Sequence, residues 1–262
     1  EEPASRPTAA TPGRSIVALV KTSDRASGVR AAIDLLGTIA LPAGAVLVKP
    51  NLNSADPAPG STHPDVLATL VTVLQEMGAG AITIADRSGM GDTRAVMRET
   101  GVFDLAEARG LRAVVLDELA DEEWQIIRHA GHHWRQGFPV PNLLLQSACV
   151  VQTCNLKTHR HGGHFTMSLK NTIGLVAKHH GGHDYMSDLH SEPHQRRMIA
   201  EANTVYAPDL VVIDGVKAFV KGGPDTGTVA DTAVVLAGTD RVALDAVGVA
   251  ILRLHDTTPE VA

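Results

Sequence analysis

Apolar residues along this chain fall into short, β-branched runs separated by stretches with helical spacing. Residues 15–20 (SIVALV), 45–48, 81–85 (AITIA) and 111–116 each form a mostly apolar run bounded by turn-forming residues, which predicts buried strands. Between them, residues 26–36 carry Val29, Ile33 and Leu36 at helical spacing before Gly37. His63-Pro64-Asp65 opens a second helix that runs to Met77 and stops at Gly78. Residues 93–109 read as helical with an interruption at Gly101. Strand and helix alternate three times at βαβ spacing, which predicts a mostly parallel sheet with helices on both faces and right-handed crossovers.

The second half continues the pattern less regularly. Residues 124–129 and 138–140 predict a hairpin around Gly131-His132-His133, and residues 148–153 (ACVVQT), 209–214 (DLVVID) and 233–237 predict further buried strands. Residues 192–205 and 241–254 predict helices, and residues 217–225 (KAFVKGGPD) a glycine-rich loop. The expected architecture is a single α/β domain over residues 15–262, Rossmann-like and three-layered with a small hairpin insertion. A flexible N-terminal arm is expected over residues 1–14.

In such sheets ligands sit beyond the carboxyl ends of the strands. Three of these ends carry polar groups: Lys49-Pro50-Asn51, Asp86-Arg87-Ser88 and Asn155-Leu156-Lys157. The densest chemistry lies in residues 155–183, NLKTHRHGGHFTMSLKNTIGLVAKHHGGH, which hold six of the 13 histidines. In an extended segment His159 and His161 share a face, and the Gly162-Gly163 turn can swing His164 back towards them. Three imidazoles with an open position suit a catalytic zinc, iron or nickel ion. His183, in the second glycine-spaced group, is a further candidate ligand; a glycine-hinged lid is the alternative.

Lys157 and Lys170 flank these histidines. A buried ammonium is costly unless paired, so lysines here point to an anionic ligand or to a base of lowered pKa. Lys49, Asn51, Ser88, Asn171 and Lys221 are the candidate substrate contacts, and Asp86 and Asp214, at strand ends, the candidate bases. Ser88-Gly89-Met90-Gly91-Asp92-Thr93 could cradle a phosphate at a helix start or simply cap that helix. It lacks the spacing of a dinucleotide fingerprint.

Composition narrows the classes. A net charge of −6 without a long basic run argues against nucleic acid. No apolar run reaches the roughly 20 residues of a membrane span. Aromatics are 3% of the chain, so the core rests on aliphatic residues. The two cysteines, Cys149 and Cys154, are too few for a cluster within one chain and too far apart in a strand for a mutual disulfide. The Pro/Ala/Thr-rich opening reads as the exposed start of a processed, exported protein, with a cytoplasmic location as the alternative. The final ILRLHDTTPEVA leaves room for a longer natural chain, and a homo-oligomer is compatible with the sequence.

KPNLN, the D-x-SG turn, NLKTH, SLKNTIG, DLVVIDG, KGGP and AGTDRVALDAVG together resemble the domain of unknown function 362 family, from about Ser15 to the end. That family is often described as iron–sulfur-associated because many members carry a ferredoxin-like, cysteine-rich segment, which this sequence lacks. The resemblance further implies export through a twin-arginine signal. It also implies a fold similar to the nickel-pincer lactate racemase, whose cofactor is held by histidines and lysines. Two functions are expected from these observations. One is a metal-dependent enzyme acting on a small anion; the other is a non-catalytic, exported protein that binds metal or forms an assembly.

Overall fold

The computed structural model of the chain describes residues 14–191 and 193–262. Residues 1–13 of the expected arm, and Glu192, lie outside the described residues. Seven strands form the main sheet: β1 (Val17–Lys21), β2 (Val46–Lys49), β3 (Ile82–Asp86), β4 (Arg112–Val115), β5 (Cys149–His159), β6 (Leu210–Gly222) and β7 (Val234–Gly238). Their spatial order is β1-β7-β6-β5-β2-β3-β4, with short strands His164–Phe165 beside β5 and Gly227–Ala230 beside β6. β6, β5, β2, β3 and β4 run parallel, while β7 is antiparallel to both β6 and β1. The mostly parallel sheet is therefore present, with one reversed strand. Between β6 and β7 the connection contains no helix, and a parallel return needs such a crossover.

The strands are apolar on both faces because both faces are covered. In β2, Val46 and Val48 join one core while Leu47 joins another. In β6, Leu210 and Val212 point to the first core and Val211 and Ile213 to a third. That period of two is what a sheet sandwiched by helices requires. Helices Arg25–Asp34 and Pro64–Glu76 fill the first core with Val29, Ile33, Val66, Leu70 and Leu74. On the opposite side, helix Arg241–Arg253 supplies Leu244, Ile251 and Leu252, and helix Gln195–Ala202 supplies Met198 and Ile199. Gly101, at φ +75°, divides the expected helix at 93–109 into Thr93–Glu99 and Val102–Arg109.

Two strands outrun their apolar runs. β5 continues through Asn155-Leu156-Lys157-Thr158-His159, and all eleven of its residues are buried. β6 continues to Gly222 and hairpins with Gly227–Ala230, so the expected loop at 217–225 is largely strand. Polar residues extend these strands because they line a cavity or pair in the ladder.

The chain steps outward from β2 to β3 to β4, then returns to β5 on the other side of β2. Successive connections thus part company at the β2–β5 junction. Beyond the carboxyl ends of those two strands lies the crevice that such a reversal opens.

Candidate functional site

A cavity of about 200 Å³ occupies that crevice. Its floor is a buried ion pair: Lys49, the last residue of β2, meets Asp86, the last of β3, at 2.8 Å. Lys49 also donates to Asn171 Oδ1 (2.9 Å) and to the Pro50 carbonyl (2.5 Å). Asp86 accepts the backbone N–H groups of Leu52 and Arg87. Burial lowers the Lys49 pKa and raises that of Asp86, and their mutual contact opposes both shifts. Gly174 belongs to the construction of this floor. A Cβ there would sit 2.5 Å from Asp86 Oδ1 and 2.6 Å from Lys49 Nζ.

Lys157, near the end of β5, is likewise saturated. Its ammonium donates to Asn51 Oδ1 (2.9 Å), the Gly60 carbonyl (2.5 Å) and the Pro224 carbonyl (3.0 Å). All three partners are uncharged, and burial pushes this lysine down to about 7. The loop carrying Pro224 reaches it because Gly223, at φ +66°, packs where a Cβ would overlap the Thr158 carbonyl.

Lys170 differs from both. It lines the same cavity, yet its ammonium has no hydrogen-bond or ion-pair partner among the described residues. Burial, and then the nearby Arg87, lower it to about 8. It sits on the one-turn helix Ser168–Asn171, whose start is fixed by Asp245. That carboxylate accepts from the N–H groups of Ser168 and Leu169 and from the Ser168 hydroxyl. Burial raises Asp245 to about 6. The helix thus holds a cation at a cavity whose described residues give it no anionic partner.

One wall is built of imidazoles. His159 ends β5, and its Nδ1 accepts the His161 backbone N–H (3.2 Å). With that lone pair engaged, a neutral ring carries its proton on Nε2 and presents a donor. Burial, then the charge of Lys170, depress His159 to about 2, so the ring stays neutral. His161 packs edge-on against it, with ring centroids 5.6 Å apart. His190 stands at the mouth with the opposite tautomer. Its Nδ1 donates to the Met186 carbonyl (2.7 Å), which leaves Nε2 as an acceptor. Desolvation and Lys170 lower its pKa, against the Met186 bond. Arg87 positions this segment, bonding the carbonyls of Val176 and Ile173 and the sulfur of Met186.

Of the residues singled out from sequence, Lys49, Asn51, Asp86, Lys157, His159, His161, Lys170 and Asn171 line this cavity. The others do not. His164 lies opposite His159 in the ladder, but its backbone is left-handed (φ +64°) and its Nε2 meets the Arg196 guanidinium. His183 pairs with Asp188 at 2.7 Å. Asp214 is held by Arg25 (2.7 Å) and by the Val216 N–H (2.9 Å). Lys221 pairs with Asp256 at an exposed position. Ser88 is buried and does not line the cavity. Among the lining residues that were missed are Arg87, His190 and Asn53, whose buried Nδ2 has no partner among the described residues. Asn53 and Arg87 had a signal, since each stands in a polar strand end; His190 had only its place in the histidine-rich region.

The expected three-imidazole metal site does not fit these side chains. Among the described residues no three His, Cys, Asp or Glu side chains converge. His159 presents an N–H rather than a lone pair. Lys170, which repels a proton from His159, repels a metal cation for the same reason.

The chain is similar to known proteins in three ways. A thylakoid-associated protein of Synechocystis sp. is 27% identical over 226 residues, 85% of this chain and 67% of that protein. The lactate racemase apoprotein of Thermoanaerobacterium thermosaccharolyticum has the same fold at 15% identity, with a TM-score of 0.52 over 87% of this chain. The chain spans 55% of that racemase's length. The family described as Domain of unknown function (DUF362) matches residues 46–250, most of the chain and all of the cavity-lining segments. This chain belongs to that family.

Proposed function

We propose that this protein is an enzyme that binds the acidic group of a small organic anion against Lys170 and moves a proton on it. The observation that carries the reading is the contrast among the three cavity lysines. Lys49 and Lys157 each donate to three oxygens, whereas Lys170 has no partner among the described residues. A cation so placed stabilises a bound carboxylate by about 1.5–3 kcal/mol through a charge-assisted bond. Asn53 Nδ2 offers the same ligand a second donor.

The two histidines support the proton step. His159 offers an N–H towards a developing oxyanion, and the lone pair on His190 Nε2 can accept a proton from a carbon beside a carbonyl. On a 2-oxo acid this is enolisation. The C–H bond breaks, its electrons form the C=C bond, the carbonyl oxygen takes the negative charge and His190 holds the proton. A structural neighbour that is a lactate racemase makes small 2-hydroxy and 2-oxo acids the first substrates to try.

Calorimetric titration with oxalate tests the anion site. Lys170→Met is expected to weaken binding by about 10- to 100-fold; equal binding by both proteins would refute the reading. Deuterium incorporation from D₂O into pyruvate, followed by proton NMR, tests the chemistry. His190→Gln is expected to stop exchange while leaving oxalate bound, and unchanged exchange in that variant would remove His190 from the mechanism.

A further inference from the structure

The inner cavity is small for a whole ligand. Small-molecule sites usually enclose about 300–1,000 Å³, and this one encloses about 200 Å³. A second cavity, of about 500 Å³, adjoins it and is lined by His161, Gly162, His190, Gln195 and Arg196 among others. His161 and His190 line both spaces and form the waist between them.

The outer space is polar in a specific way. Gln195 is buried, and its Oε1 has no hydrogen-bond partner among the described residues. That oxygen lies 3.2 Å from where a Cβ on Gly162 would stand, so it faces the turn lining the groove. A buried acceptor without a donor costs about 1–3 kcal/mol, which a ligand donor would recover. Beside it, the exposed Arg196 presents its guanidinium to the His164 imidazole, with no carboxylate partner among the described residues. The outer groove therefore supplies one cation and one unfilled acceptor, on the far side of the waist from Lys170.

We infer that the ligand of this site is a linear, two-ended anion. One acid group lies in the inner cavity at Lys170, the shaft passes between His161 and His190, and a second acid group meets Arg196, with a hydroxyl or N–H of the ligand donating to Gln195 Oε1. This rests on the anion-binding reading above and adds the substrate's length and its second charge. The atom that would react is then the one at the waist, beside His190, one or two bonds from the inner acid group. Arg196 and Gln195 set specificity and touch no reacting atom.

Straight-chain dicarboxylates from oxalate to suberate are the probes, titrated into the full chain by calorimetry. Affinity is expected to rise once the chain is long enough for its far carboxylate to reach Arg196. In Arg196→Gln the ratio of suberate to oxalate affinity is expected to fall about tenfold. Arg196 is exposed, so its replacement leaves the fold intact; Lys170→Met weakens every member of the series. Affinity that falls steadily with length, or a ratio unmoved in Arg196→Gln, overturns the two-ended ligand and leaves the inner site standing. A Lys170→Met protein that binds the whole series as the parent does overturns the anion site itself.

Discussion

The histidines of this protein divide into two neighbourhoods. In the segment around the hairpin His179–His180/His183–Asp184, each imidazole has a carboxylate: His179 faces Asp184, His180 faces Asp121 and His183 faces Asp188. At the cavity wall, His159 and His190 are held by backbone groups and face lysine charge. The same residue type is thus turned to opposite ends. A neighbouring carboxylate ties the ring into local structure, whereas a neighbouring ammonium and a backbone bond keep it neutral with one defined tautomer. Spacing in the sequence does not separate the two groups; the partners do.

That comparison can be broken first by giving the wall a carboxylate. Asn53→Asp would place one on the wall of the cavity that Lys170 lines, and oxalate affinity measured by calorimetry is expected to fall about tenfold or more as the fixed charge competes with the ligand for the cation. pH does the same more gradually. Lys170 is held to about 8, so its charge is complete well below that value and lost above it. Anion affinity is therefore expected to be flat from pH 6 to 7 and to fall by about tenfold per unit above the pKa of the free site. A flat profile to pH 10 would mean that Lys170 is not the anchor.

Packing gives a smaller contrast. Gly174→Ala drives a methyl into the Lys49–Asp86 pair and is expected to cost about 1–3 kcal/mol, a loss of several degrees in Tm. Gly181→Ala, at the hairpin turn, meets no atom within 4 Å and carries only the left-handed backbone cost of roughly 1 kcal/mol. Thermal unfolding of the two variants side by side checks the difference. Smallest of all is His183→Ala. It removes a partly exposed pair with Asp188, is expected to change stability by less than about 1 kcal/mol, and should leave oxalate binding as it was.

The fold was legible because buried parallel strands advertise themselves as β-branched runs. β2, β3 and the first half of β5 stand out for that reason. The second halves of β5 and β6 were hidden by the residues that line or border the site: Asn155, Lys157, Thr158 and His159 fall outside the apolar run at 148–153, yet their backbone remains in the sheet. Within the site, strand-end position found Lys49, Asn51, Asp86 and Lys157. It could not tell a saturated lysine from an unsatisfied one, because the carbonyls of Gly60 and Pro224 that hold Lys157 are 97 and 67 residues away. Nor could it exclude His164, whose fate is decided by a single backbone angle. His190 was missed because a helix that begins at Tyr185, rather than any motif, carries it back to the cavity.

The reversed strand has a consequence for the birth of the molecule. β1 pairs with β7 alone in the sheet, Val17 lying opposite Gly238, 221 residues later in the chain. On a ribosome moving at about 5–20 residues per second, the first strand waits roughly 10–45 s for its partner to be made. The parallel strands β2, β3 and β4 can meet one another within that interval. Assembly of this sheet therefore starts on its β2–β3–β4 side, and the first residues of the described chain are among the last to be seated.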